Sequence, residues 1–159
     1  MDKKLLILDL DETLYHTFIK PFTKKEIESE LFEKGLSHMG IYHTVPRPHV
    51  DKFLKFIFEK FKVAIWTAAD YDYAESAVKN LLNIDINKLE FFFHKKNCLK
   101  INDKYIKDLN KLKMENIIML DNNPQYIIPR NKVINIKDFT GFEKNDDELL
   151  KIIHYLNIM

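Results

Sequence analysis

The segment LLILDLDETL, residues 5–14, decides the fold of this chain. Its first four residues are all apolar, which is typical of a parallel β-strand covered on both faces. Asp9 and Asp11 follow at once, and because side chains alternate along an extended chain, their two carboxylates point the same way. Such neighbours raise each other's pKa, so a cation between them, or a proton on one, relieves the repulsion. The alternative is that both aspartates only cap the following loop.

Apolar runs and amphipathic patterns alternate along the rest of the chain. Strand-like runs occur at residues 62–66, 91–93, 116–120 and 132–136, and helical periodicity occurs at 50–61, 70–82, 105–112 and 145–156. Alternation of this kind predicts an α/β domain with a mainly parallel sheet. We expect residues 1–159 to form a single domain, since the sequence contains no repeat, low-complexity segment or flexible linker.

Residues 15–45 form a small insert between the first strand and the next helix. Thr23 and Glu26 have the spacing of a capping box, which predicts an amphipathic helix at about 24–34 that ends at Gly35. A weak strand is predicted at 41–45.

The overall charge and composition exclude several classes of protein. The formal net charge is +1, so we expect no stable nucleic-acid binding and no membrane partner. Cys98 is the single cysteine, which rules out an internal disulfide and fits a reducing compartment. The sequence shows no signal peptide and no transmembrane segment. We therefore expect a cytoplasmic or nuclear protein, and a monomer.

Polar side chains follow three of the predicted strands. Asp9 and Asp11 follow the first strand, Thr67 follows the second, and Asp121 and Asn122 follow the fourth. Because parallel strands present their carboxyl ends at one edge of the sheet, the three motifs converge on one site. Carboxylates together with an amide suit a hard cation, and Mg²⁺ is the natural candidate.

These motifs resemble those of the haloacid dehalogenase superfamily of phosphotransferases. DLDETL at 9–14 resembles motif I in the form typical of phosphatases that act on the RNA polymerase II C-terminal domain and related phosphoproteins. WTAA at 66–69 resembles motif II, residues 98–109 resemble the segment with the motif III lysine, and DNNP at 121–124 resembles motif IV. The resemblance extends from residue 4 to 156. It implies a Rossmannoid three-layer domain with a central, mainly parallel sheet and a small insert after the first strand.

The resemblance also implies a role for each matching residue. Asp9 matches the nucleophile, and Asp11 matches the general acid and base. Thr67 and Lys107 match the catalytic hydroxyl and lysine that bind the phosphate. The implied metal ligands are the Asp9 carboxylate, the Asp11 main-chain carbonyl, Asn122 and, directly or one shell out, Asp121.

The assignments of Ala68, Lys95 and Tyr73, and that of Lys107, depend on the resemblance more heavily. Ala68 and Lys95 match positions that contact substrate, and Lys95 stands where relatives usually carry arginine. Spacing alone would make Lys107 a solvated helix residue. Tyr73 matches an aromatic residue near the site, with packing in a helix as the alternative.

The function implied is that of a Mg²⁺-dependent phosphoric monoester hydrolase. Its expected substrate is a phosphoserine or phosphothreonine of a phosphoprotein or phosphopeptide. Two alternatives stay open: a phosphatase of a small molecule or a nucleic-acid end, and an inactive binding module that kept the fold. Relatives that bind proline-containing phosphopeptides usually carry a β-type insert with an apolar pocket. The charged, helix-like pattern of residues 24–34 departs from that arrangement, so the sequence leaves the substrate open.

Overall fold

A computed structural model describes residues 3–159 of the chain. The strands are β1 (Leu5–Leu8), β2 (Tyr15–Ile19), β3 (Leu36–His38), β4 (Tyr42–Pro46), β5 (Lys62–Trp66), β6 (Phe92–Phe93), β7 (Leu99–Ile101), β8 (Lys104–Asp108), β9 (Ile117–Asp121), β10 (Ile127–Ile128) and β11 (Val133–Asn135). The α-helices are α1 (Lys24–Glu28), α2 (Val50–Lys60), α3 (Tyr71–Asn80) and α4 (Glu148–Ile158). Within residues 3–159, none of the helices has the length and apolar character needed to cross a membrane.

A parallel sheet of five strands forms the centre of the molecule. Its order is β11-β9-β1-β5-β6, so the first strand lies in the middle. Leu8 is in register with Ile65 of β5 on one side and with Leu120 of β9 on the other. This register brings the carboxyl ends of three strands to the same level. The predicted α/β fold with a mainly parallel sheet is therefore confirmed.

The alternation of side chains along β1 supplies two separate cores. Leu6 and Leu8 face a large apolar cluster built with the buried sides of α2, α3 and α4. Leu5 and Ile7 face the opposite way, into a second cluster that includes Trp66. Because both faces of β1 are covered, all four of its side chains are almost fully buried, as its unbroken apolar run predicts.

The insert differs from its sequence-based prediction. The capping box at Thr23 and Glu26 is present, but α1 ends after Glu28 and does not continue to residue 34. Residues 32–34 form a short 3₁₀ helix, and a three-stranded antiparallel sheet in the order β2-β4-β3 makes up most of the rest of the insert. The chain turns out of the helix at Ser29, whose hydroxyl donates to the Gly141 carbonyl (3.0 Å), and Leu31 is buried beside aromatic rings. Tertiary packing overrides helix propensity here, and the insert is of β type.

The helix predicted at residues 105–112 is also wrong. Residues 104–108 form β8, which pairs antiparallel with β7, and only 109–112 form a short 3₁₀ helix. Asn102 and Asp103 join the two strands, both with positive φ (50° and 63°). Asn and Asp tolerate the left-handed region better than most residues, and two such residues in succession are typical of a tight hairpin turn.

Candidate active site

Residues from three neighbouring strands meet at the carboxyl edge of the central sheet. Asp9 directly follows β1, Thr67 directly follows β5, and Asp121 is the last residue of β9. The Asp9 amide donates to the Leu120 carbonyl (3.0 Å), which fixes the start of the motif I loop against β9. Asp9, Thr67 and Asp121 are all nearly fully buried. The convergence expected from strand order is present.

A buried lysine bridges two of these carboxylates. The Lys107 ammonium lies 2.8 Å from Asp9 Oδ1 and 2.8 Å from Asp121 Oδ2. Burial alone would lower the pKa of Lys107, but the two carboxylates outweigh burial and raise it. The ammonium is therefore charged at neutral pH, and the structure places Lys107 inside the site and not on a solvated helix.

Asp9 is held from both sides. Its Oδ1 accepts from Lys107, and its Oδ2 accepts from the Thr13 hydroxyl (2.8 Å). Burial and the nearby charge of Asp121 raise the pKa of Asp9 to about 7, although Lys107 works in the opposite direction. Added positive charge at this point would favour the ionised form of Asp9.

Asp11 is bound to a tyrosine of α3. The Tyr73 hydroxyl lies 2.5 Å from Asp11 Oδ1 and 2.5 Å from the Thr17 hydroxyl of the insert. Burial raises the pKa of Asp11 to about 6, and the hydrogen bond from Tyr73 lowers it. Asp11 can therefore exchange a proton near neutral pH. The expectation that Tyr73 lies near the site is met geometrically.

These side chains line a cavity of about 300 Å³. Its lining includes the predicted residues Asp9, Asp11, Thr67, Ala68, Lys107 and Asp121, and also Glu12, Ala69, Tyr105, Asn123, Tyr126 and Ile127. The Thr67 hydroxyl accepts from the Ala69 amide (3.1 Å), which folds the loop after β5 around the cavity. Lys95 is not part of the lining. It lies outside, with its ammonium 5.1 Å from the centre of the Tyr105 ring.

The side chain of Asn122 contacts Thr13 and Asp138. Its Oδ1 is 3.3 Å from the Thr13 hydroxyl, and its Nδ2 donates to Asp138 Oδ1 (2.9 Å). Asp138 therefore turns the amide oxygen towards motif I. Asp121 has both oxygens occupied, one by Lys107 and one by the Asn123 amide (2.8 Å).

The donor set fits Mg²⁺. One hydroxyl proton on Thr13 faces two acceptors, Asp9 Oδ2 and Asn122 Oδ1. The carboxylates of Asp9, Asp11 and Asp121 outnumber the single ammonium of Lys107, so the cavity has excess negative charge. Among residues 3–159, no three His, Cys, Asp or Glu side chains form a ready-made cage. Magnesium needs none, because it binds through one or two carboxylates, waters and substrate phosphate.

Arg47 is a structural residue of the site that sequence reasoning did not identify. It follows β4 and is almost fully buried. Its Nη1 donates to the carbonyls of Glu12 (3.2 Å) and Thr13 (3.1 Å), while Nε and Nη2 donate to the two carboxylate oxygens of Asp146 (2.8 and 2.9 Å). Arg47 therefore ties the loop after Asp11 to the segment before α4. Its place in RPHV, residues 47–50, was the only signal in the sequence.

Two solved structures of a phosphatase have a similar fold. The chain matches the fission yeast RNA polymerase II C-terminal-domain phosphatase Fcp1 with a TM-score of 0.67 and 15% identity, over 96% of this chain and 51% of that one. A second Fcp1 structure matches with the same TM-score, 16% identity and 49% of its length. At this identity the likeness shows the fold alone.

Sequence relatives agree with the fold. Phosphatase Herzog of Drosophila melanogaster is 30% identical over 96% of this chain and 43% of its own length. A probable C-terminal domain small phosphatase of Dictyostelium discoideum is 32% identical over 97% of this chain and 50% of its own length. The chain thus spans about half the length of these curated relatives. A putative CTD phosphatase-like protein of Invertebrate iridescent virus 3 is 32% identical over 94% of this chain and 93% of its own length.

A family model described as NLI interacting factor-like phosphatase matches residues 4–159. This match covers almost the whole chain and includes every motif that carried the resemblance. The expected relationship to the small C-terminal-domain phosphatases of the haloacid dehalogenase superfamily is confirmed. The chain belongs to the NLI interacting factor-like phosphatase family.

Proposed function

We propose that this chain is a Mg²⁺-dependent phosphatase that hydrolyses phosphoserine or phosphothreonine in proteins through an aspartyl-phosphate. The observation that carries the proposal is the setting of Asp9. Its carboxylate lines the cavity and lies between the Lys107 ammonium and the Thr13 hydroxyl, with Asp11 two residues away. A carboxylate held in this way is a nucleophile with a fixed direction of attack.

In the first step, an Asp9 oxygen forms a bond to phosphorus while the bond from phosphorus to the serine or threonine oxygen breaks. Asp11 gives its proton to that leaving oxygen. In the second step, Asp11 takes a proton from water, the water oxygen attacks phosphorus, and the bond to Asp9 breaks to release phosphate. The raised pKa of Asp11, about 6, supports both roles, because the group holds a proton and loses it close to neutral pH.

The remaining residues bind phosphate and balance charge. Lys107 pairs with the phosphate oxygens and with Asp9, and Thr67 and Ala68 also line the cavity, where they contact the phosphate. The Asp9 carboxylate, the Asp11 main-chain carbonyl and the Asn122 amide would hold Mg²⁺, with Asp121 acting there or through Lys107. Bound Mg²⁺ supplies the positive charge that neutralises the transferring phosphoryl group. Phosphoryl transfer depends mainly on such positioning and neutralisation.

The insert supports a protein substrate over a small molecule. Its three-stranded sheet is the β-type insert that the family resemblance associates with phosphopeptide binding. It exposes the apolar side chains Ile19, Met39 and Ile41. Exposed apolar groups of this size suit contacts along a peptide.

Turnover with and without metal tests the catalytic part. We expect wild type to release p-nitrophenol from p-nitrophenyl phosphate with Mg²⁺ and not with EDTA, and Asp9→Asn to be inactive while folded. Acid quenching during turnover, followed by mass spectrometry, should find one phosphoryl group on Asp9. Folded wild-type protein that is inactive with Mg²⁺ would favour a binding module.

A comparison of substrates tests the proposed substrate class. Phosphoserine and phosphothreonine peptides should be turned over with higher kcat/KM than phosphosugars or oligonucleotides with a 3′-phosphate. The reverse order would assign the same chemistry to a small molecule or a nucleic-acid end.

A further inference from the structure

Positive charge is concentrated in one segment of the chain. Residues 95–111 contain six lysines against two aspartates, although the whole chain has a net charge of only +1. Lys107 is used inside the site. The others lie on or beside the β7–β8 hairpin, which forms one side of the cavity.

Two of these lysines lie over an aromatic ring that lines the cavity. Lys100 pairs with Tyr105 across β7 and β8, and its ammonium lies 5.8 Å from the centre of the Tyr105 ring. The Lys95 ammonium lies 5.1 Å from the same ring. Tyr105 lines the cavity. The Tyr105 ring therefore has the ammonium groups of two lysines within 6 Å of its centre, one from β7 and one from the residues just before it.

Both ammonium groups remain available to a ligand. Lys95 has Asp70 as its nearest acidic partner and Lys100 has Asp103, each at 3.9 Å. Asp70 and Asp103 have 78% and 95% of their side-chain surface exposed. Long, exposed ion pairs of this kind contribute little, so a phosphate or carboxylate can replace them at small cost.

The spacing from the reacting centre fits an extended peptide. Tyr105 and Lys107 are two residues apart on β8, and both line the cavity. Two residues of a strand span about 7 Å, and side chains two apart in an extended peptide have the same separation. A phosphoresidue at Lys107 therefore leaves the side chain two residues away close to Tyr105.

We propose that Lys100, Lys95 and Tyr105 form a second anion subsite, which binds a phosphate or carboxylate side chain about two residues from the phosphoresidue being hydrolysed. The inference rests on the proposed protein phosphatase function and adds a preference for acidic or multiply phosphorylated segments. The alternative occupant is a nucleobase stacked on Tyr105. Two ammonium groups already lie over that ring, which favours an anionic side chain.

The test compares peptides that share one phosphoserine and differ in one other residue. That residue is phosphoserine, glutamate or alanine, two positions before or after the reacting one. For wild type, kcat/KM should be about fivefold higher for the peptide with the second phosphoserine, on one of the two sides, than for the peptide with alanine at that position. Two exposed charge contacts account for a ratio of this size. Added salt should reduce this ratio.

Lys100→Glu is the decisive variant, with Lys52→Glu as its control. Lys52 is an exposed residue of α2, and its variant makes the same change in net charge. Lys100→Glu should bring the ratio to one or below while turnover of the singly phosphorylated peptide stays within about twofold. Lys52→Glu should keep the wild-type ratio. A wild-type ratio near one, equal effects of the two variants, or preference for a 3′-phosphate oligonucleotide would each overturn the subsite.

A binding measurement tests the anion subsite independently of the proposed phosphatase activity. If wild type turns over none of the peptides, the proposed function fails, and fluorescence anisotropy with the same labelled peptides still tests the subsite. Tighter binding of the doubly phosphorylated peptide, lost in Lys100→Glu, would support it. Equal affinity for the singly and doubly phosphorylated peptides would contradict it.

Discussion

Breaking the buried pair of Arg47 and Asp146 should cost more stability than breaking an exposed ion pair of the chain. Both side chains are nearly inaccessible, with 0% and 6% of their surface exposed. Arg47→Met removes two hydrogen bonds to Asp146 and two to the carbonyls of Glu12 and Thr13. It also leaves a buried carboxylate without its partner. Breaking a buried pair in this way costs about 3–5 kcal/mol.

Urea unfolding measures this cost, and a thermal scan checks it. For a chain of this length, the loss corresponds to a fall in Tm of about 6 to 20 °C. The control is Lys144→Met, which breaks an exposed pair with Glu30 that is similarly short (3.0 Å). Exposed pairs contribute about 0–1 kcal/mol, so the two variants should differ clearly.

A double-mutant cycle distinguishes the pair from general disruption. Asp146→Asn removes the charge that Arg47→Met leaves buried. The double variant should therefore lose less stability than the sum of the two single variants, with a coupling of about 1–3 kcal/mol. Additive losses, or a loss for Arg47→Met no larger than that for Lys144→Met, would refute the reasoning.

Two further predictions concern catalysis. Tyr73→Phe removes a hydrogen bond that favours the charged form of Asp11, so the pKa of Asp11 should rise above about 6, by about one to two pH units. Because the first step needs protonated Asp11, the alkaline limb of kcat/KM on a phosphoserine peptide should move upwards. Tyr71→Phe, which removes the hydrogen bond to Glu75 within the same helix, should leave the limb in place, and equal shifts would contradict the assignment. Asn122→Ala should raise the Mg²⁺ concentration needed for half-maximal activity about tenfold or more, and Asn123→Ala should not, as a Mg²⁺ titration of initial rates will show.

The central sheet could be predicted because its evidence is local. The apolar run of β1 is followed directly by Asp9, and β5 and β9 repeat the pattern with Thr67 and Asp121. Strand order alone then places three polar residues at one edge. Nothing about distant contacts is needed for this step, and the structure agrees with it.

The insert could not be predicted in the same way. Its capping box is a strong local signal, and α1 does begin there. What ends the helix is distant in sequence, because the Ser29 hydroxyl bonds to the Gly141 carbonyl and Leu31 packs in a cluster with Phe18 and Phe139. A helix of five residues is marginal by itself. Its length here is therefore set by packing and not by propensity.

The hairpin that carries the lysine offered two competing patterns. Tyr105, Leu109 and Leu112 have the spacing of a helix face, whereas Tyr105 and Ile106 are residue types that favour a strand. The deciding signal was Asn102-Asp103, two residues that suit positive φ and a tight turn. A prediction that gave this turn more weight than the helical spacing of the apolar residues would have placed β7 and β8 correctly.

Lys107 shows most clearly what sequence spacing cannot supply. A buried ammonium is stable only where opposite charges and hydrogen bonds replace the lost water. Those partners are Asp9, 98 residues away, and Asp121, 14 residues away. No local pattern around Lys107 contains them, so local reasoning makes it one more solvated lysine. Once β8 and the central sheet are placed, the surplus of buried carboxylate at the sheet edge requires a cation there, and Lys107 is the one that reaches both acids.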